Sequence, residues 1–156
     1  MGKIAFVFAG QGAQYSGMGQ SLCQASPAAQ AVFDTADQLR PGTREQCFTA
    51  PVEELSITEN TQPCLYCVDL AAAKALEEAG VRADVAAGFS LGAIAALSFA
   101  GVFTPAQGFA FVCQPGRAMH AAGARTPPAT APLPQPPPSP VAALRPPLPT
   151  ACAPTH

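Results

Sequence analysis

Apolar positions fall into blocks separated by Gly, Pro and polar turns, and the period changes from block to block. Residues 3–8 (KIAFVF) form a nearly continuous apolar run, β-branched and aromatic. Such a run suits a central parallel strand covered on both faces. It ends at Ala9-Gly10-Gln11-Gly12-Ala13-Gln14. Two glycines around a polar residue let the backbone of that loop approach a ligand closely. A helical pattern follows from Leu22 to Leu39, with Ser26 as a cap, Pro27 in the first turn, and Ala31, Val32, Phe33 and Leu39 as an apolar stripe. Arg40-Pro41-Gly42 stops it, residues 43–50 read as loop, and residues 51–55 read as a short helical turn. From Asn60 to about Ala79 a longer helix carries Leu65, Val68, Leu70, Ala72, Ala73 and Leu76, a face broad enough to be buried on more than one side, and Gly80 ends it. Residues 85–88 make a second strand. Leu91 to about Ala100 is an almost wholly apolar helix placed in the middle of the domain, with Gly101 as its stop. Thr104 caps a last helix with Pro105 at its first position, and Pro115 should kink or end it near Gln114.

Between the second strand and its helix stands Gly88-Phe89-Ser90-Leu91-Gly92, a G-x-S-x-G in a strand–turn–helix setting. A turn that tight leaves no room for a Cβ two residues before and two after the serine. The serine is held at the apex with its hydroxyl exposed, and the helix after it aims its first amides at the same spot. The glycine loop after the first strand is neither a dinucleotide fingerprint, lacking the third glycine, nor a P-loop, lacking Gly-Lys-Ser/Thr.

Composition divides the chain. Of its 156 residues, 18 are proline, and twelve of these lie between Pro127 and Pro154. All ten acidic residues stand at or before Asp84. Residues 1–122 are therefore the foldable part, and residues 123–156 are a Pro-rich, low-complexity tail expected to be disordered. A net charge of −2 with no basic patch argues against nucleic acid. The N-terminus has no signal-type apolar region and no stretch reaches membrane-spanning length, so the expected setting is cytoplasmic, without a membrane partner. Cys64-Leu65-Tyr66-Cys67 is a C-x-x-C without a second pair or a His cluster, inside an apolar helix, and reads as core filling; no metal is expected.

Gly10-Gln11-Gly12-Ala13-Gln14, Thr61-Gln62-Pro63, Gly88-x-Ser90-Leu91-Gly92 and Gly116-x-x-Met119, in that order, make the chain resemble the malonyl-CoA:acyl-carrier-protein transacylases from residue 1 to about 122. The resemblance implies an incomplete α/β-hydrolase-like core of parallel strands and flanking helices, in a family whose members are roughly twice this length. It implies S-malonyltransferase activity in fatty acid synthesis, by a ping-pong route from coenzyme A to a serine and on to the phosphopantetheine thiol of acyl carrier protein. Malonyl-CoA and acyl carrier protein are then the partners, no cofactor is needed, and a monomer is expected. By position, Ser90 matches the nucleophile, and the backbone N–H groups of Gln11 and Leu91 match the oxyanion donors.

Three positions depart from the family pattern. Phe89 stands where the family usually has His, and Pro115 where an Arg pairs with the malonyl carboxylate. Arg117 lies two residues on, about 200° further round the helix, and does not inherit that role. The family's catalytic His lies in a later segment without a match here. His120 and His156 are the two histidines of the chain, and neither has a carboxylate beside it in sequence. The tail resembles no part of the family, an abrupt change of the kind a shifted reading frame produces. Two other readings are a non-catalytic fragment retaining part of an acyl or carrier-protein surface, and an α/β-hydrolase-type serine esterase. The esterase requires an acidic residue and then a His later in the chain, and nothing acidic follows Asp84.

Overall fold

The two apolar runs form the strands β1 (Ala5–Phe8) and β2 (Val85–Gly88), paired in parallel with Ala5 opposite Val85 and Phe8 opposite Gly88. In this computed structural model the backbone is described for residues 2–123 and the side chains for residues 2–114. The expected disorder of the tail beyond Gly123, and any contact of Arg117, His120 or His156, lie outside the described residues. Parallel strands need a long crossover. It is supplied by α1 (Gln20–Ala25), α2 (Pro27–Leu39), α3 (Thr43–Thr49), α4 (Val52–Leu55) and α5 (Thr58–Glu78). The helix α6 (Leu91–Phe99) leaves β2, and α7 (Pro105–Gly123) closes the described chain.

Local chemistry explains the punctuation. The Ser26 side chain accepts from the Ala29 N–H at 3.0 Å, capping α2 with Pro27 behind it. Thr104 Oγ1 accepts from the Gln107 N–H at 3.2 Å while Gln107 Oε1 accepts from the Thr104 N–H at 3.0 Å, a reciprocal capping box for α7. The α5 helix is the centre of the packing, against α2, α6 and α7. Its Leu65, Tyr66, Cys67 and Leu70 are buried, as is Cys64, so the C-x-x-C thiols fill the core. From the sheet, Phe6 and Phe8 face this core and meet the Phe99 ring at 5.3 and 5.7 Å between centroids. No helix of the described residues is long and apolar enough to cross a membrane.

Several expectations from the sequence change. β1 is covered on one face, not two: Phe6 and Phe8 are buried, whereas Val7 is 78% exposed. Only two strands are present among the described residues, and Ala5 and Val7 stay exposed. Residues 43–49 are helical rather than loop, because Thr43 and Cys47, one turn apart, are both buried and the Arg44 N–H is held by Asp37 Oδ1 at 3.0 Å. Ser26 is extended, so the segment from Leu22 is two helices rather than one. α7 continues past Pro115 to Gly123. The hydrogen bond that proline forgoes falls on the Phe111 carbonyl, and the Phe111 side of the helix is half exposed, so water can replace the missing donor. α6 is partly open as well, with Leu97 at its surface.

Candidate active site

The elbow begins with what the glycines exclude. A Cβ on Gly88 would lie 2.1 Å from the Gly92 carbonyl oxygen, and a Cβ on Gly92 would lie 2.3 Å from the Phe8 carbonyl oxygen. Both distances are impossible, so both positions must be glycine for β2 to turn this sharply into α6 against the end of β1. Ser90, at the apex, has φ 52° and ψ −110°, and among the described residues it is the one non-glycine with positive φ. Holding a non-glycine there costs on the order of 1–3 kcal/mol, a strain that surrounding structure must impose. The Gly92 and Ala93 N–H groups are already committed to the Phe89 and Ser90 carbonyls at 2.9 and 3.0 Å. The Leu91 N–H, in the uncapped first turn, is left pointing out of the helix end.

The second wall is the loop after β1. Gly10 fits under Phe89, since a Cβ there would stand 2.8 Å from Phe89 Cδ1 and 2.9 Å from the Phe89 carbonyl oxygen. The Phe89 ring, 76% exposed, therefore packs over the glycine loop, where a histidine would have offered a hydrogen bond. Asp69 of α5 has its Oδ2 shut off from solvent without a hydrogen-bond partner among the described residues, and burial pushes its carboxyl up to about 6.

Ser90, Gln11 and Leu91 line one open cleft of about 240 Å³, together with Gln62, Ile94, Phe111 and Val112. The three residues picked from the sequence are thus side by side. No described lining residue carries a charge, so the cleft supplies a hydroxyl, backbone donors and an apolar wall, but no base. Gln62 and Phe111 received no role from the sequence. For Gln62 a signal existed: it is half-buried between fully buried Thr61 and Pro63, so in α5 it faces the cleft rather than the core. Phe111 is 51% exposed at the cleft wall, whereas Phe109 and Val112 of the same helix are buried.

The model of the acyl transferase domain family matches residues 5–131, and the chain belongs to that family. The match runs past Gly123, where the composition changes. The malonyl CoA-acyl carrier protein transacylase of Bacillus subtilis (strain 168) is 42% identical over 105 residues, covering 67% of this chain and 33% of that protein. The polyketide synthase GfsB of Streptomyces halstedii is 39% identical over 123 residues, covering 76% of this chain and 2% of that protein. The crystal structure of malonyl CoA-acyl carrier protein transacylase from Clostridium perfringens superposes with a TM-score of 0.72 at 35% identity, over 78% of this chain and 39% of that one. The chain thus spans between a third and two fifths of these two transacylases.

Proposed function

We propose that the chain is the nucleophile-bearing part of a malonyl-CoA:acyl-carrier-protein S-malonyltransferase of fatty acid synthesis, built on an α/β-hydrolase-like core. Ser90 Oγ attacks the thioester carbonyl of malonyl-CoA, the Gln11 and Leu91 N–H groups hold the tetrahedral oxyanion, and coenzyme A departs as its thiol with the serine proton. The phosphopantetheine thiol of acyl carrier protein then attacks the malonyl-serine ester and frees Ser90. This reading takes the protein to be cytoplasmic and monomeric. It is carried by one observation: a serine held at positive φ shares a single cleft with the Gln11 loop. The names and identities of the transacylase relatives support it.

The proton on Ser90 needs an acceptor, and no described residue of the cleft is one. A serine without its base keeps an ordinary hydroxyl and is a weak nucleophile. The chain by itself is therefore expected to load slowly. With malonyl-CoA at pH 8, intact-mass spectrometry should show one malonyl group accumulating over hours, absent from Ser90→Ala. Loading complete within seconds would show that a base is present. Equal loading of Ser90→Ala would remove Ser90 as the nucleophile. No loading, together with measurable binding of acyl carrier protein, would favour the non-catalytic fragment.

A further inference from the structure

The wall of the Ser90 cleft is hydrocarbon. Leu91 and Ile94 of α6 and Phe111 and Val112 of α7 line a space of about 240 Å³, and the Gln11 and Gln62 side chains beside them are neutral. Ile94 is half-buried and Phe111 is half exposed. The Phe111 ring is stacked on Phe103, with 6.4 Å between centroids and 13° between planes. A ring held in this way presents a preformed apolar surface, with little ordering left to do when a ligand arrives. No described cationic side chain lines the wall. Arg44 is paired with Asp34 and Lys74 with Glu77. Arg40 is engaged by Gln46 Oε1 at 2.8 Å and Asn60 Oδ1 at 2.9 Å. Lys3 precedes β1 and Arg82 precedes β2, so both stand at the N-terminal ends of parallel strands whose C-terminal ends carry the cleft. The four residues of β2 separate those ends by about 13 Å. One turn after Phe111, α7 continues with Pro115. A carboxylate on the acyl group would exchange water for hydrocarbon without a counter-charge, whereas a hydrocarbon chain gains from the same exchange.

We propose that the cleft is an acyl pocket for uncharged short chains and that Phe111, with Ile94, sets the preference: Ser90 accepts a butyryl group faster than an acetyl group, and an acetyl group faster than a malonyl group. This rests on the reading of Ser90 as the acyl-accepting nucleophile and goes beyond malonyl as its substrate. In the step, a bond forms between Ser90 Oγ and the acyl carbonyl carbon, the carbon–sulfur bond breaks, and the serine proton leaves with the coenzyme A thiol. The same exchange serves every acyl group, so the wall makes the preference and the chemistry does not. Each further methylene buried against the wall is worth about fourfold in rate.

The test sets the chain against butyryl-, acetyl- and malonyl-CoA at equal concentrations and reads the adducts by intact mass, with Ser90→Ala as the blank. Each rate is divided by that of the same thioester with free hydroxylamine, which removes differences in carbonyl reactivity. Butyryl should exceed acetyl by about tenfold, and malonyl by more. Phe111→Ala should bring butyryl and acetyl to within about threefold of each other. Phe111→Arg, at a position open enough to take the change, should put malonyl first, since a guanidinium pairs with the malonyl carboxylate. Malonyl loading as fast as butyryl in the unaltered chain would overturn the proposal, and so would an order that Phe111→Arg leaves unchanged. A chain that loads none of the three on Ser90 would sink the nucleophile reading instead, and the Ile94 methyl signal in a ¹³C spectrum then decides the cleft. Butyryl-pantetheine should move that signal at a concentration about tenfold below that needed of malonyl-pantetheine. An equal response to both would again overturn the proposal.

Discussion

The α2–α5–α7 side of the molecule and the strand–elbow side treat polar groups in opposite ways. On the helical side the buried hydroxyl groups among the described residues have partners. Thr61 Oγ1 donates to the Leu55 carbonyl at 2.5 Å, and the Tyr66 hydroxyl lies 2.8 Å from Ser98 Oγ and 3.0 Å from the Pro105 carbonyl. Ser26 caps α2 and also meets Glu78. On the elbow side the groups are held but not satisfied. Ser90 is strained, the Gln11 N–H is open, and Val7, Val85 and Phe89 stand exposed. Structure that only has to be stable consumes its hydrogen bonds. Structure that has to meet a substrate keeps some in reserve, and depends on the rest of the fold to hold it in place.

The sharpest way to break that contrast is to fill the space the elbow lacks. Gly88→Ala would put a methyl 2.1 Å from the Gly92 carbonyl oxygen, an atom of the backbone that cannot swing aside. The elbow must open or β2 must leave β1. We expect a loss of about 4 kcal/mol, at the severe end for a single substitution, measured as a fall in the urea midpoint. A stability equal to the unaltered chain would mean that β2 and α6 do not meet as described.

On the helical side the corresponding change is Tyr66→Phe. The Tyr66 hydroxyl has one proton. It donates to the Pro105 carbonyl, which has none, and accepts from Ser98. Gly108 lies so close that a Cβ there would be 2.4 Å from the hydroxyl oxygen, so no side chain of α7 can substitute for the lost group. Burial also pushes the Tyr66 hydroxyl up to about 12, so it remains a donor across the working pH range. Removing it leaves Ser98 and the Pro105 carbonyl unmatched inside the core, which costs about 2 kcal/mol. The measurement is the same denaturation curve, with an unchanged slope showing that the native state keeps its compactness. If Tyr66→Phe were neutral, the hydrogen bonds on this side would be incidental to its packing.

The same division explains what could be read from the chain. Ser26, Thr104 and the glycines at 42, 80 and 101 mark the helix ends because caps and positive φ are local chemistry. The two glycines of the elbow state its geometry because a missing Cβ is a local requirement. What stayed hidden depends on distant partners. α3 buries only Thr43 and Cys47, too few positions to show a period, and it is held by the neighbouring Asp37. The exposed face of β1 could not be foreseen, since an apolar run states that a strand can be covered and not that it is. At the site, Ser90, Gln11 and Leu91 were readable as motif residues. The place of Phe111 at the cleft wall was not, because which face of α7 is covered depends on elements distant in sequence.

The smallest expected effect tests the elbow in the opposite sense, by relieving it. Ser90 holds φ 52° and ψ −110°, a region costly for any residue with a Cβ and open to glycine. Its side chain caps no helix amide, so no such hydrogen bond is lost with it. Ser90→Gly removes strain of on the order of 1–3 kcal/mol and adds about 0.5–1 kcal/mol of backbone entropy to the unfolded chain. The balance is a gain of about 1 kcal/mol, read as a higher urea midpoint, together with complete loss of the malonyl adduct at this position. A residue kept for packing would destabilise the fold when removed. A residue kept for chemistry, in a conformation the fold imposes on it, should leave the fold more stable by its absence. A destabilised Ser90→Gly would therefore place Ser90 with Tyr66, among the groups whose hydrogen bonds hold the structure together.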